Sequence, residues 1–224
     1  MIRAVYFDVG ETLVDETRQW GLWADWLGVP RLTFFAALGA VIARGEHHHR
    51  VFDPFAPGLD IAQAERERAL EGDRYRIERR DFYPDALPCL AALRESGLIV
   101  GIAGNQPEDA EEALRAAGAE ADHVASSARW GVEKPSPHFF AKIIEQCGFA
   151  AGDIAYVGDR LDNDILPARA MGMMAIFIER GPWGVIHASQ GDLRCADAHV
   201  RSLSEIPPLL SSRHSSVSGE VRED

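Results

Sequence analysis

Short apolar runs recur along the chain, and most close on glycine or a small polar residue before a helical pattern begins. Ala4–Phe7 closes on Asp8, 98–103 on Gly104-Asn105, and 154–157 on Gly158-Asp159; His123–Ser126 is weaker, and 173–178 is the last. Continuous apolar runs of this length predict strands buried on both faces. Between them, 107–117, Pro137–Cys147 and 163–171 read as helices. Pro107 and Pro137 stand where a first turn tolerates proline, and Gly118, Gly148 and Gly172 follow where a C-terminal cap falls. Strand and helix in alternation predict an α/β fold, a Rossmann-like parallel sheet with helices on both faces. Such sheets bind ligands beyond the carboxyl ends of their strands, where Asp8, Asn105 and Asp159 stand.

One stretch interrupts the alternation. From Asp15 to about Phe82 the pattern is helical throughout. Trp20, Trp23 and Leu27 share a helical face, 62–80 is a charged helical pattern, and Pro54, Pro57 and Gly58 mark a loop. The expected organisation is therefore a core of residues 1–14 and 83–210, an inserted α-helical domain at 15–82, and a disordered Ser-rich polar tail at 211–224.

Composition narrows the classes. The 224 residues are 46% hydrophobic, enough for one core with a small inserted domain. A formal net charge of −12 makes a nucleic-acid backbone an unsuitable partner. Cys89, Cys147 and Cys195 are few and widely spaced, which speaks against a disulfide framework or a zinc site and for a reducing compartment. No uninterrupted apolar stretch approaches a membrane span, and the residues up to Val9 are too short an apolar lead for a signal peptide. A cytoplasmic protein, monomer or homodimer, without membrane contact, is the expectation. Only two lysines occur, Lys134 and Lys142.

Four short motifs then fall in order: Asp8-Val9-Gly10-Glu11-Thr12-Leu13; Ile102-Ala103-Gly104-Asn105; Val132-Glu133-Lys134-Pro135 before a helix; and Gly158-Asp159-Arg160-Leu161-Asp162-Asn163-Asp164. Each alone is weak. In this order, on these elements, they resemble the haloacid-dehalogenase (HAD) superfamily over roughly residues 1–210, and 15–82 resembles the mobile cap of its helical-cap (C1-type) members. The resemblance implies a hydrolase in which Asp8 is the nucleophile and Lys134 the charge stabiliser. It also implies a Mg²⁺ site of Asp8, Asp159, Asp164 and the backbone carbonyl of Gly10, and a small phosphorylated substrate. A carboxylate attacking a phosphoryl group meets charge repulsion, which a hard cation bridging both relieves. Lys134 would act there as a point charge, and the intermediate would be a covalent aspartyl ester or anhydride.

The residues also admit plainer readings. Asp8 alone could be a strand-end turn residue, and Lys134 a surface lysine before proline. Asp162 or Asn163 suits a helix N-cap better than a metal site. His47-His48-His49 reads as a solvated loop rather than a metal cluster, since consecutive residues share no helical face. The cap tryptophans read as packing.

Two positions depart from the family's phosphatase pattern. Gly10 replaces the second catalytic Asp, which protonates the leaving group and then activates water; such acid–base catalysis is worth about 10²–10⁴ in rate. Gly104 replaces a Ser or Thr, and one lost transition-state hydrogen bond costs about 10²–10³. Backbone N–H groups of Gly104 and Asn105 remain able to cradle an anion alongside Lys134. Glu11 and Asp15 are the nearest candidates to replace the acid, with Glu11 expected to point away from the site. Three functions stay open: hydrolysis of an activated phosphate; carbon–halogen hydrolysis, against which the intact acidic pair speaks; and binding of a phosphorylated ligand or partner without turnover.

Overall fold

The computed structural model describes residues 1–215. In chain order the elements are β1 (Ala4–Phe7), α1 (Thr17–Trp26), α2 (Arg31–Ala43), α3 (Ile61–Leu70), α4 (Ala86–Glu95), β2 (Ile99–Gly104), α5 (Asp109–Ala116), β3 (His123–Ser126), α6 (Ser127–Trp130), α7 (Pro137–Cys147), β4 (Ile154–Gly158), α8 (Leu166–Ala170), β5 (Met174–Ile178), α9 (Gly181–Gln190), β6 (Ala198–Val200) and α10 (Ile206–Ser215). Six strands form one sheet in the order β3-β2-β1-β4-β5-β6, and every pairing is parallel. The α/β, Rossmann-like architecture expected from the alternation is the one observed.

Alternation within β1 shows how the core divides. Val5 and Phe7 join the cluster under α4, α5 and α10, with Leu90, Leu93, Leu114 and Leu210. Ala4 and Tyr6 face the other way, onto Phe139, Phe140 and Ile143 of α7. Successive side chains leave a strand on opposite faces, so one apolar run supplies both layers.

The segment after β1 forms a third cluster, in which Trp20, Trp23, Phe34, Leu38, Val41 and Phe52 pack together with Trp183 of α9. Its two ends are pinned side by side: the Asp15 N–H donates to the Asp81 carbonyl at 2.8 Å and the Tyr83 N–H to the Leu13 carbonyl at 3.0 Å. Arg18 adds a side-chain bond to Asp81 across the same neck, Nε to Oδ1 at 2.7 Å. Among the described residues no single helix is long and apolar enough to cross a membrane; α1 and α2 together pass only as a pair bent by 115°.

Several expectations are corrected. The charged helix expected over 62–80 stops at Leu70, because Gly72 turns left-handed (φ 79°) and the Asp73 N–H closes the end on the Arg68 carbonyl. The helix expected at 163–171 begins as a π-type turn, Leu161–Ile165, before α8. Strand β6 carries no apolar run and exists through pairing with β5. α10 extends to Ser215, into the segment expected to be disordered; the remainder of that tail lies outside the described residues.

Phe139 is fully buried at the centre of the second layer. Phe139→Ala is expected to destabilise the protein by about 3–5 kcal/mol, and Leu70→Ala, at a position 90% exposed, by less than about 0.5 kcal/mol. Urea unfolding of both variants checks the contrast.

Candidate functional site

Strand β1 lies between β2 and β4, so their carboxyl ends meet where the strand order reverses, the place where such sheets take ligands. Asp8 follows β1, Asn105 follows β2 and Asp159 follows β4. With Gly10, Glu11, Glu16, Trp20, His48, Gln106, Lys134, Arg160, Asn163 and Trp183 they line a 110 Å³ cavity between the sheet and the helical insertion. A larger cavity of 620 Å³, bordered by α3, 74–79 and α5, reaches Gln106 but none of the clustered acids.

Lys134 is the electrostatic centre. Its Nζ lies 2.7 Å from Asp8 Oδ1 and 2.6 Å from Asp164 Oδ1, with the lysine head almost wholly buried. Burial alone would lower its pKa; the Asp164 and Asp8 carboxylates outweigh that and hold it well above the usual lysine value. Asn105 positions it: its side chain accepts from the Lys134 N–H at 2.8 Å and donates to the Lys134 carbonyl at 3.0 Å. Asn105 therefore has its backbone, rather than its amide, to offer an anion. The Lys134 head also faces the ring of Tyr156, at 5.6 Å from its centroid.

Carboxylate oxygens of Asp8, Asp159 and Asp164 lie within 4.8 Å of one another. One lysine cannot neutralise three buried carboxylates. Accordingly the Asp159 carboxyl is pushed well above its ordinary range, by burial first and then by Asp164 and Asp8. Asp164 is pushed up to about 6, burial outweighing Lys134. Asp159 Oδ2 is buried with no hydrogen-bond partner among the described residues. An uncompensated buried carboxylate oxygen beside two more carboxylates is a donor set for a hard divalent cation, which accepts exactly such oxygens. Both Asp164 oxygens already accept hydrogen bonds, from Lys134 and from the Arg160 N–H, so Asp159 and Asp8 are better placed as direct ligands.

The two departures from the family pattern have visible causes. A Cβ on Gly104 would stand 2.6 Å from Asp8 Oδ1, so the Asp8 side chain leans into the space a serine would need. A Cβ on Gly10 would stand 2.3 Å from Glu16 Oε1 and 2.9 Å from its Cδ. A carboxylate delivered from six residues away fills the space beside residue 10.

Sequence reasoning placed Asp8, Gly10, Gly104, Asn105, Lys134, Asp159 and Asp164, and the fold brings all seven to one place. It missed Glu16, Arg160, Trp183 and the site-facing roles of Trp20 and His48. His48 is not a solvated loop residue: its ring packs against Trp20 and Trp183, and burial lowers its pKa to about 3. Trp20 both packs in the insertion and lines the cavity. Asp162 does not cap a helix; it pairs with Arg160 at 2.7 Å. Glu11, at φ 53°, is held by the Tyr83 hydroxyl at 2.6 Å. Of the missed residues only Arg160 lies within a linear motif; the others lie outside all four, although a glutamate just ahead of a Trp-bearing helix was a readable signal.

A family model for haloacid dehalogenase-like hydrolases matches residues 2–172. The chain belongs to the haloacid dehalogenase-like hydrolases. Curated relatives of this HAD chain include a glyceraldehyde 3-phosphate phosphatase from Methanopyrus kandleri, 30% identical over 82% of this chain and 86% of the relative. A phosphoserine phosphatase from Thermus thermophilus is also 30% identical, over 82% of this chain and 73% of its own. Among solved structures, the HAD phosphatase from Thermococcus onnurineus superposes with a TM-score of 0.61 at 24% identity, over 93% of this chain and 98% of that one. The L-2-haloacid dehalogenase from Xanthobacter autotrophicus reaches 0.67 at 20% identity, over 94% and 99%. These structural likenesses concern the fold.

The buried acids of this HAD site carry a pH signature. Glu16 is pushed up to about 8, by burial and then by Glu11. A carboxyl whose pKa rises on folding holds its proton in the folded state after the unfolded chain has lost it, so stability declines as pH climbs from the ordinary carboxylate range to the raised value. The buried histidines act in the opposite sense only below their ordinary value near 6.5. The metal-free protein is therefore expected to melt at a lower temperature at about pH 8 than at about pH 7, with Glu16→Gln flattening the slope. Calorimetry in chelator checks this.

Proposed function

We propose that this HAD member is a Mg²⁺-dependent phosphohydrolase acting on a small phosphorylated metabolite, with Asp8 as nucleophile and Lys134 as charge stabiliser. The observation that carries the reading is the single buried lysine, 2.7 and 2.6 Å from Asp8 and Asp164, beside an Asp159 oxygen with no partner among the described residues. That excess of negative charge suits a site completed by a cation and a phosphoryl group. The relatives named as phosphatases favour phosphate over halide chemistry.

Asp8 attacks phosphorus from the end of β1 and forms an aspartyl phosphate, which water then hydrolyses. Asp8, Asp159 and the Gly10 carbonyl would hold Mg²⁺, with Asp164 beside them as the third acid of the site; the ion when bound relieves the repulsion between carboxylate and phosphate. Lys134 neutralises Asp8 and the phosphoryl oxygens, and backbone N–H groups at Gly104 and Asn105 cradle the anion. Residues 1–14 and 83–210 serve as the core, and 15–82 as the cap, whose Trp20 and His48 meet Trp183 and exclude water. A 110 Å³ cavity is far below the roughly 300–1,000 Å³ of pockets for larger ligands, which favours a short substrate of the size of a triose phosphate or phosphoserine. The cysteines are unpaired in the structure, in keeping with a reducing cytoplasm.

With Mg²⁺, wild type is expected to release phosphate from members of a panel of acyl phosphates, aryl phosphates, glyceraldehyde 3-phosphate and phosphoserine, and Asp8→Asn to lose about 10³-fold or more. No release from any of them would overturn the reading; chloride or fluoride release from haloacids without Mg²⁺ would replace it with dehalogenation. Mg²⁺ is further expected to raise the melting temperature of wild type by mass action, and to raise that of Asp159→Asn much less.

A further inference from the structure

Departure of an alkoxide from phosphorus needs a proton, and the hydrolysis of an aspartyl phosphate needs a base for water. The cavity acids differ in what they have left to give. Asp164 is bound by Lys134 and the Arg160 N–H. Asp8 is the attacking group, and Asp159 faces the other two carboxylates. Glu11 Oε2 accepts from the Tyr83 hydroxyl and Oε1 from the Glu16 N–H. Asp15 accepts from the Thr17 N–H and does not line the cavity.

Glu16 differs from all of these. It stands at the N-cap of α1, where an acidic or polar side chain ordinarily bonds the first-turn N–H groups, yet it makes no such bond. Its side chain turns inward instead. Oε2 accepts from the Trp20 indole N–H at 3.1 Å, and Oε1 takes no hydrogen bond among the described residues. That Oε1 stands 2.3 Å from where a Cβ on residue 10 would be, in the cavity shared with Asp8 and Lys134. The loop makes this possible: Glu11 turns through positive φ, Leu13 and Val14 donate back to the Val9 carbonyl, and the chain returns residue 16 over residue 10.

We propose that Glu16 is the proton-transfer residue of this site, placed by the cap-entry loop in the space that a side chain at position 10 would otherwise fill. The inference rests on the reading of the site as a phosphoryl-transfer centre. As the Asp8–phosphorus bond forms and the bond from phosphorus to the leaving oxygen breaks, the proton on Glu16 Oε1 passes to that oxygen. Water then attacks phosphorus, gives one proton to Glu16 and breaks the bond to Asp8, restoring both carboxyl groups. The sum is phosphate ester plus water to alcohol plus phosphate. Glu16 stands immediately before α1, whose Trp20 and Trp23 belong to the third cluster, so placement of the insertion and proton supply are tied to one segment.

The test uses a series of substituted phenyl phosphates, from nitrophenyl to methylphenyl, with full-length protein and Mg²⁺. Wild type and Asp8→Asn decide the underlying reading first: turnover in the former and none in the latter upholds it, and absence of both removes it together with this inference. Glu16→Gln then decides the inference alone. It keeps the shape and the Trp20 contact. Expected are a turnover loss of about 10²–10⁴ with the poor leaving groups, a much smaller loss in the first step with nitrophenyl phosphate, and a nitrophenolate burst with phosphorylated Asp8 trapped on the protein. Gly10→Asp alone is expected to bring no gain, Glu16 being in its way, but to restore activity to Glu16→Ala. An unchanged dependence on leaving group in Glu16→Gln, with no trapped phosphoenzyme, would overturn the proposal; a uniform loss across the series, with no rescue by Gly10→Asp, would reduce Glu16 to a packing residue and overturn it equally.

Discussion

Everything at the carboxyl end of this sheet is arranged around one buried ammonium group. Lys134 sits between Asp8 and Asp164, and a charge of that kind is tolerable only when paired and held in good geometry. Asn105 holds its backbone from the end of β2, Tyr156 of β4 lies under its head, and the turn after β4 supplies Asp164. Three adjacent strands thus converge on a single side chain. Because the lysine answers only part of the local negative charge, Asp159 stays electrostatically incomplete in the folded protein, and with Asp8 and Asp164 it forms a donor set that could hold a hard cation.

The same crowding accounts for the unusual glycines. In a parallel sheet the strand ends are close, and each functional side chain must share the volume above them. Asp8 leans over Gly104, and Glu16 lies over Gly10. Both positions would look like losses if a family pattern were matched letter by letter. In space, the Asp8 carboxylate fills one of these volumes and a carboxylate from the inserted segment fills the other. The neck at Asp15–Asp81 and Leu13–Tyr83 fixes the returning loop, so the replacement carboxylate is held by backbone pairing and by Trp20 rather than by a flexible tether.

The inserted segment also helps to build the wall of the cavity. Trp20, His48 and Trp183 meet edge-on and tilted between insertion and core, and together they leave a small cavity. Aromatic rings bring large contact area with little conformational freedom to lose, which suits a firmly packed cavity wall. Trp183 belongs to α9, after β5, so both halves of the chain define that wall.

Local chemistry along the chain was sufficient for much of this. Five apolar runs marked five of the strands; the endings in Asp8, Asn105 and Asp159 marked the site; and the run 132–135 ahead of a helix singled out Lys134. These features are legible because buried parallel strands need continuous apolar side chains and because ligands gather at strand ends, so period and position carry the information directly. Strand β6, the early stop of α3 and the π-type turn at Leu161–Ile165 were not legible, since each depends on a partner's backbone or on a local turn rather than on periodicity. The sequence by itself determined the family, the core architecture and which acids, with Lys134, gather at the strand ends. Only the tertiary structure decided what stands beside Gly10 and Gly104, because occupancy of a volume is a property of side chains that are neighbours in space, and Glu16 becomes a neighbour of residue 10 only after the loop has folded back.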